Sequence, residues 1–170
     1  MTPVVLNLLR HNDRHEALPA KDFVSHYEVW CRSHPGQPVF GPIVKHTWQV
    51  EGQKFERLNL RNDPFYECPD SSGFLLCENT NHANNLVLLD VYGQERMRLS
   101  VPWELTRDPT AKSAAYPSRF IGLTTPWDDP KTGKEGKFAV LAWVEYAGDY
   151  AFELDWRTGE FLWGYFLERG

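Results

Sequence analysis

The side chains able to do chemistry in this chain are six histidines, three cysteines and a scatter of carboxylates, so their spacing is the first question. His11 and His15 stand four apart, with Asp13 and Glu16 beside them. On a helix that spacing puts both imidazoles on one face, where a divalent cation could bind. The order is not the His-Glu-x-x-His of zinc proteases, and the surroundings are polar, so solvated residues and no metal are expected. Cys31, Cys68 and Cys77 form no Cys-x-x-Cys pair. Cys31 falls on an apolar helical face and Cys77 ends an apolar strand, which suits small buried hydrophobes. Cys68, next to Pro69 in a loop, is the thiol expected to be reactive; a nucleophile pair would need His82 or His46 beside it.

Two loops invite other chemistry. Residues 78–85 are rich in side-chain amides, as a long hairpin connection would be, because Asn tolerates left-handed turns and bonds nearby backbone. The alternative is a polar recognition loop centred on His82. Asp128 and Asp129 open a segment that also holds Lys131 and Lys134, a poor cage for calcium. There is no Gly-rich phosphate loop and no Gly-x-Ser-x-Gly elbow. The expectation is a protein that is not an enzyme and carries no cofactor.

The densest pattern lies at the C-terminal end. Residues 150–167 read as two aromatic strands joined by a turn over 155–159, where Asp155 can bond its own backbone and Gly159 can take a positive φ. Alternation puts Leu141, Trp143 and Glu145 on one side of the preceding strand, and Phe161, Trp163, Tyr165 and Leu167 on one side of the last. Two readings fit. Either a central sheet is covered on both faces, or Trp143, Trp156, Trp163 and Tyr165 stand partly exposed among Glu145, Asp149, Glu153 and Asp155. Aromatic anchors within an acidic rim suit a protein interface, and those eight residues are the candidate partner-binding set.

The elements that must position them are mostly strands. Apolar residues at 23, 24, 27, 30 and 31 recur at helical spacing within 19–33, and His34, Pro35 and Gly36 stop that helix. Thr2 and Pro3 could start an earlier one, although the segment behind them fits a strand equally. From residue 38 the period changes to two: 43–50 and 55–60 form a hairpin about Glu51-Gly52-Gln53, and 74–77, 86–89, 95–101, 120–124 and 137–146 follow. Residues 107–118 hold one helical turn or none. The fold class expected is mainly β (α+β): a single antiparallel, strongly twisted or barrel-like sheet of eight or nine strands, with one or two N-terminal helices packed on it. One domain spans 1–170, helical over 1–36 and meander-like over 37–170.

The 170 residues suffice for one core, and a 14% aromatic content with 7 Trp supplies ample area. A net charge of −5 argues against direct nucleic-acid binding. Residues 140–170 carry two Arg and six acids, while 94–137 carry eight Lys or Arg and six acids. That split means internal complementarity, or an acidic face that steers a basic partner. The start lacks the length and basic residues of a secretory signal, and no run is long enough for a membrane helix. A cytoplasmic protein with free thiols and no membrane contact is expected.

Leu154-Asp155-Trp156-Arg157-Thr158-Gly159-Glu160 with Trp163 resembles the blade hairpin of quinoprotein-type β-propellers, and residues 86–97 echo it. Two such echoes do not make four blades, so the resemblance implies a shared hairpin and no quinone site. In size, acidity, aromatic content and lack of a catalytic set, the chain resembles bacterial toxin-immunity proteins. That resemblance implies an inhibitor that occludes a toxin or effector enzyme, with a basic partner. A small-molecule-binding or enzymatic β-barrel with a polar mouth around His82, and a structural adaptor, are the alternatives.

Overall fold

The computed structural model describes residues 2–37, 39–107, 118–144 and 148–167. Two compact units form: Met1–Phe74 with Leu89–Gln94, and Leu75–Leu88 with Glu95–Gly170. In the first unit lie β1 (Leu6–Asn12), β2 (Ala17–Pro19), α1 (Phe23–Ser33), β3 (Ile43–Val50) and β4 (Gln53–Leu58), with sheet order β2-β1-β3-β4. A second sheet runs β5 (Phe65–Glu67), β6 (Phe74–Cys77), β7 (Leu86–Leu89) and β8 (Glu95–Leu99), in that order. The third has β9 (Arg119–Thr124), β10 (Ala139–Val144), β11 (Gly148–Asp155) and β12 (Glu160–Leu167), ordered β12-β11-β10-β9.

This overturns the expected single sheet of eight or nine strands, because the described residues hold three separate four-stranded antiparallel sheets. Two strands, β2 and β5, were missed, and β1 was one of two readings left open for its segment, for local reasons. β1 bulges where Asn7 takes φ +55°, which breaks its alternation. β2 and β5 are three residues each, too short to show a period. The N-terminal segment is therefore strand, and α1 is the single α-helix described. His11 lies on β1 and His15 in the turn after it, so the shared helical face is absent. Among the described residues no group of three His, Cys, Asp or Glu side chains could hold a metal ion.

The turns follow the chemistry of their residues. Glu51 (φ +50°) and Gly52 (φ +82°) join β3 to β4, and positive φ at both central positions gives the backbone twist that suits a two-residue hairpin. Asp90 and Asp155 build the same device twice. Asp90 Oδ1 accepts the N–H groups of Tyr92 and Gln94, and Asp155 Oδ1 accepts that of Arg157. Gly159 takes φ +77°, a backbone conformation that L side chains rarely adopt, so the turn favours glycine there. The propeller-like hairpin is thus a local solution within a four-stranded sheet.

Each unit has its own core. In the first, buried Trp48 donates from Nε1 to the Val91 carbonyl (2.7 Å) and meets Phe74 edge-on at 4.7 Å. The helix is attached chiefly through Trp30, its one buried residue, while Val24 and Val29 face solvent. Trp30 Nε1 donates to Glu16 Oε2 (2.9 Å), and Glu16 also accepts from Asn12 Nδ2 (3.0 Å) and Arg14 Nε (3.1 Å), with His34 Nε2 at 3.1 Å. In the second unit Tyr150, Phe152, Phe120, Val140 and Leu154 are sealed, and the Tyr150 hydroxyl accepts the Arg107 N–H (2.8 Å).

Hydrogen bonds from Asn12, then Trp30, and from Arg14 hold the Glu16 carboxyl at about 2, below its ordinary 4.5. A depressed carboxyl pKa adds stability above the unfolded value and loses it as pH falls towards the folded one. Urea midpoints of the natural chain should therefore fall between pH 4.5 and pH 2. In Glu16→Gln the midpoint at pH 6 should already be lower and the acid limb flatter. Parallel acid limbs for the two proteins would show that this carboxylate does not anchor the helix.

Candidate functional site

The C-terminal sheet brings most of the candidate residues into one place through its register. Cross-strand rows place Leu167, Asp149, Trp143 and Arg119 together, then Tyr165, Ala151, Leu141 and Gly122, then Trp163, Glu153, Ala139 and Thr124. Directly paired residues share a face, so these rows are one surface. The other face holds Phe166, Tyr150, Ala142 and Phe120, with Phe152, Val140 and Leu154 beyond them, and is the core.

Two irregularities set this division. The β11–β12 pairing slips between Glu153 and Leu154, leaving Leu162 unopposed and 39% exposed. Phe161 is therefore paired with Leu154 on the core side, stacked on Phe120 at 5.6 Å, and not beside Trp163 as alternation predicts. The β9–β10 pairing slips likewise between Leu141 and Ala142, turning Ile121 outward. A bulge moves every later side chain to the opposite face.

The row of Trp163, Glu153 and Ala139 is closed. Trp163 is 8% exposed, and its Nε1 donates to the Trp127 carbonyl (3.0 Å). Glu153 is 4% exposed, and its Oε2 accepts the N–H groups of Lys137 (2.9 Å) and Phe138 (3.0 Å). Trp156 is 6% exposed, edge-on to Phe138 at 5.6 Å, with the Arg157 guanidinium 4.6 Å from its ring. These three side chains are interior, which corrects the expectation that Trp156 and Trp163 stand partly exposed with Glu153 in their acidic rim. The rim lost Glu153 because strand ends need their backbone donors satisfied, and a buried carboxylate does that well. Asp155 is engaged in its turn. Glu145 lies outside the described residues.

What stays accessible is the other two rows. Trp143, Leu141, Tyr165, Leu167, Asp149 and Arg119 are all half-exposed. Over Tyr165 lies Trp127, stacked at 4.6 Å and 9° and itself 41% exposed. Trp127 was missed because its neighbours read as a polar loop; a lone Trp after Pro126 was the available signal. Beside the β12 edge runs a groove of about 480 Å3, lined by Leu105, Arg107, Lys131, Leu162 and Tyr165 among others. Arg107 lays its guanidinium 3.5 Å from the Phe166 ring centroid. The surface is thus broad, aromatic and shallow, with charge of both signs at its margin.

The alternative centres fare differently. His82 is exposed, while Asn85 in the same loop is buried as a clip: its amide donates to the Phe120 and Glu78 carbonyls and accepts the Phe120 N–H (2.8, 2.9 and 2.9 Å). Cys68, expected to be reactive, is buried. A separate trough of about 490 Å3 lies on the N-terminal sheet, where His11 Nε2 is 2.7 Å from Thr47 Oγ1 beside Lys54 and Glu56. Burial and then Lys45 lower the His11 pKa, while Glu56 opposes them. The paired imidazole and hydroxyl give that trough a polar floor.

No family model matches this sequence, and no curated protein matches it. In fold it is similar to a chain of a solved structure, "Structure of Tne2 in complex with Tni2", with a TM-score of 0.66 and 12% identity. The likeness covers 96% of this chain and 99% of that one. At this identity it establishes a shared fold.

Removing the buried carboxylate should be costly. Glu153→Ala leaves two backbone donors without their acceptor and is expected to lose about 2–3 kcal/mol of stability. Glu153→Gln keeps an acceptor and should lose under about 1 kcal/mol. Urea unfolding of both variants checks this; equal losses would mean that the N–H bonds contribute little.

Proposed function

We propose that this protein is a non-catalytic binder of another protein, an immunity or inhibitor protein that occludes a toxin or effector enzyme. The observation that carries the reading is the half-open face of the C-terminal sheet, with Trp127, Trp143, Leu141 and Tyr165 on rigid strands and a stacked loop. Large rings held in place lose little side-chain entropy on docking and bury much area, which is why such residues dominate interface energetics. The fold likeness to a chain from a two-protein complex, over nearly the whole of both chains, supports the same reading.

The mechanism that follows is steric. A partner whose working surface rests on Trp143 and Tyr165 would have its own substrate excluded, with no bond made or broken. Asp149, in the Trp143 row, and Glu160, exposed on β12, would favour a basic partner surface and speed encounter. Release would be governed by the buried rings.

Co-expression with the toxin-like product of a neighbouring reading frame, followed by calorimetry on the purified pair, tests this. Trp143→Ala and Tyr165→Ala should each weaken binding about tenfold to a hundredfold, with thermal unfolding little changed. Trp156→Ala should instead lower stability by about 3–5 kcal/mol, since it empties a core site. Full affinity in the Trp143 and Tyr165 variants would place the interface elsewhere.

A further inference from the structure

Arg10, His46 and Arg57 are direct cross-strand partners on β1, β3 and β4, so their side chains leave one face of the N-terminal sheet side by side. The two arginines flank His46 and all three are poorly hydrated: His46 is buried and both arginines are half-buried. Arg10 lies over Phe23 with 4.6 Å to the ring centroid, and Arg57 approaches Phe65 at 5.9 Å. A stacked guanidinium uses its flat face and leaves its N–H donors free in the plane. Among the described residues, the acids that pair with arginine do so with Arg14, Arg61 and Arg98, and none with Arg10 or Arg57.

Arg10 and His46 line a cavity of about 230 Å3 together with Asn59, Asn62, Asp63, Phe65 and Tyr66, while Arg57 stands one strand away, outside the lining. Its one carboxylate, Asp63, is paired with Arg61 at 3.3 Å, and the Asp63 N–H is taken by Asn59 Oδ1. The volume is below the range of about 300–1,000 Å3 usual for drug-sized ligands, so it suits one small group. Burial, and then the charges of Arg10, His11 and Arg57, push the His46 pKa down to about 4. The imidazole is therefore neutral at pH 7, and the two guanidinium groups carry the positive charge.

We infer that this cavity is an anion site that takes one oxyanion, a phosphate or a carboxylate, on Arg10 and His46 with Arg57 adding charge from the next strand. A planar guanidinium matches either group with two parallel hydrogen bonds, and a bound anion offsets the positive charge of the two guanidinium groups. The two sources differ in consequence. A phosphate would make this a small-molecule site, and a carboxylate would make it a socket for an acidic side chain of a bound protein.

The test uses the full chain and follows the His46 ring resonances by NMR during titration with inorganic phosphate, then with acetate, at constant ionic strength set by sodium chloride. A saturable shift is expected. The His46 titration midpoint should also rise, because the anion offsets the positive charges of Arg10, His11 and Arg57; Asp63 and Tyr66, which also face the cavity, are unchanged between the arms. Arg10→Gln and Arg57→Gln should each weaken the apparent affinity by about tenfold, two variants being used so that a misfolded one is not decisive. Saturation by phosphate assigns the phosphate source, and saturation by acetate with weaker phosphate binding assigns the carboxylate. Linear, non-saturating shifts with both anions, or unchanged affinity in the folded variants, would overturn the site.

Discussion

Between Glu153 and Leu154 the pairing of β11 with β12 slips by one residue, and Leu162 is left without a partner. Because side chains on a strand alternate strictly, that one residue sends Phe161 to one face and Trp163, Tyr165 and Leu167 to the other. Without the slip, either Phe161 would leave its stack with Phe120 or Tyr165 would enter the core beneath Trp127. The same device at Ile121 keeps Phe120 inside while the rest of β9 stays in register. The core face and the half-open face of this sheet both exist because the two bulges divide a crowded set of rings.

Buried polar groups do the bracing that a strand-rich chain requires. Glu153 takes the N–H groups at the start of β10, Asn85 clips its loop to Phe120, and Glu16 with Asn12 ties Trp30 to β1. Asn12, Asn85 and Glu153 Oε2 each have two or more hydrogen bonds, which makes their burial tolerable, while Glu153 Oε1 is buried without a partner among the described residues and Glu16 is half-exposed. The consequence for function is direct. Acidic residues that look like a charged surface in the sequence are partly structural, so the candidate interface is more aromatic and less acidic than the net charge suggests.

The surfaces that remain are shallow, and they differ in kind. The C-terminal sheet offers rings, with Asp149 and Arg119 at the margin, while the N-terminal sheet offers a polar trough on one face and a cationic row on the other. Rigid strands present both, so little reorganisation would accompany binding.

How much of this was legible follows from the range of the interactions. The turns at Glu51-Gly52 and Asp155–Gly159, the strands at 74–77 and 86–89, and the Trp30 helix were all readable, because each is decided by residues within a few positions. Of the candidate residues, Trp143, Asp149 and Tyr165 lie half-exposed on one face of the C-terminal sheet, while Trp163 and Glu153 lie on that face but are closed off. What the tertiary structure alone decided was the partition into three sheets, the short strands β2 and β5, and the side of the sheet on which each ring lies. Strand pairing joins residues far apart in sequence, and a bulge reverses facing without altering composition, so alternation records that a strand is amphipathic or doubly apolar but not which of its faces the core will claim.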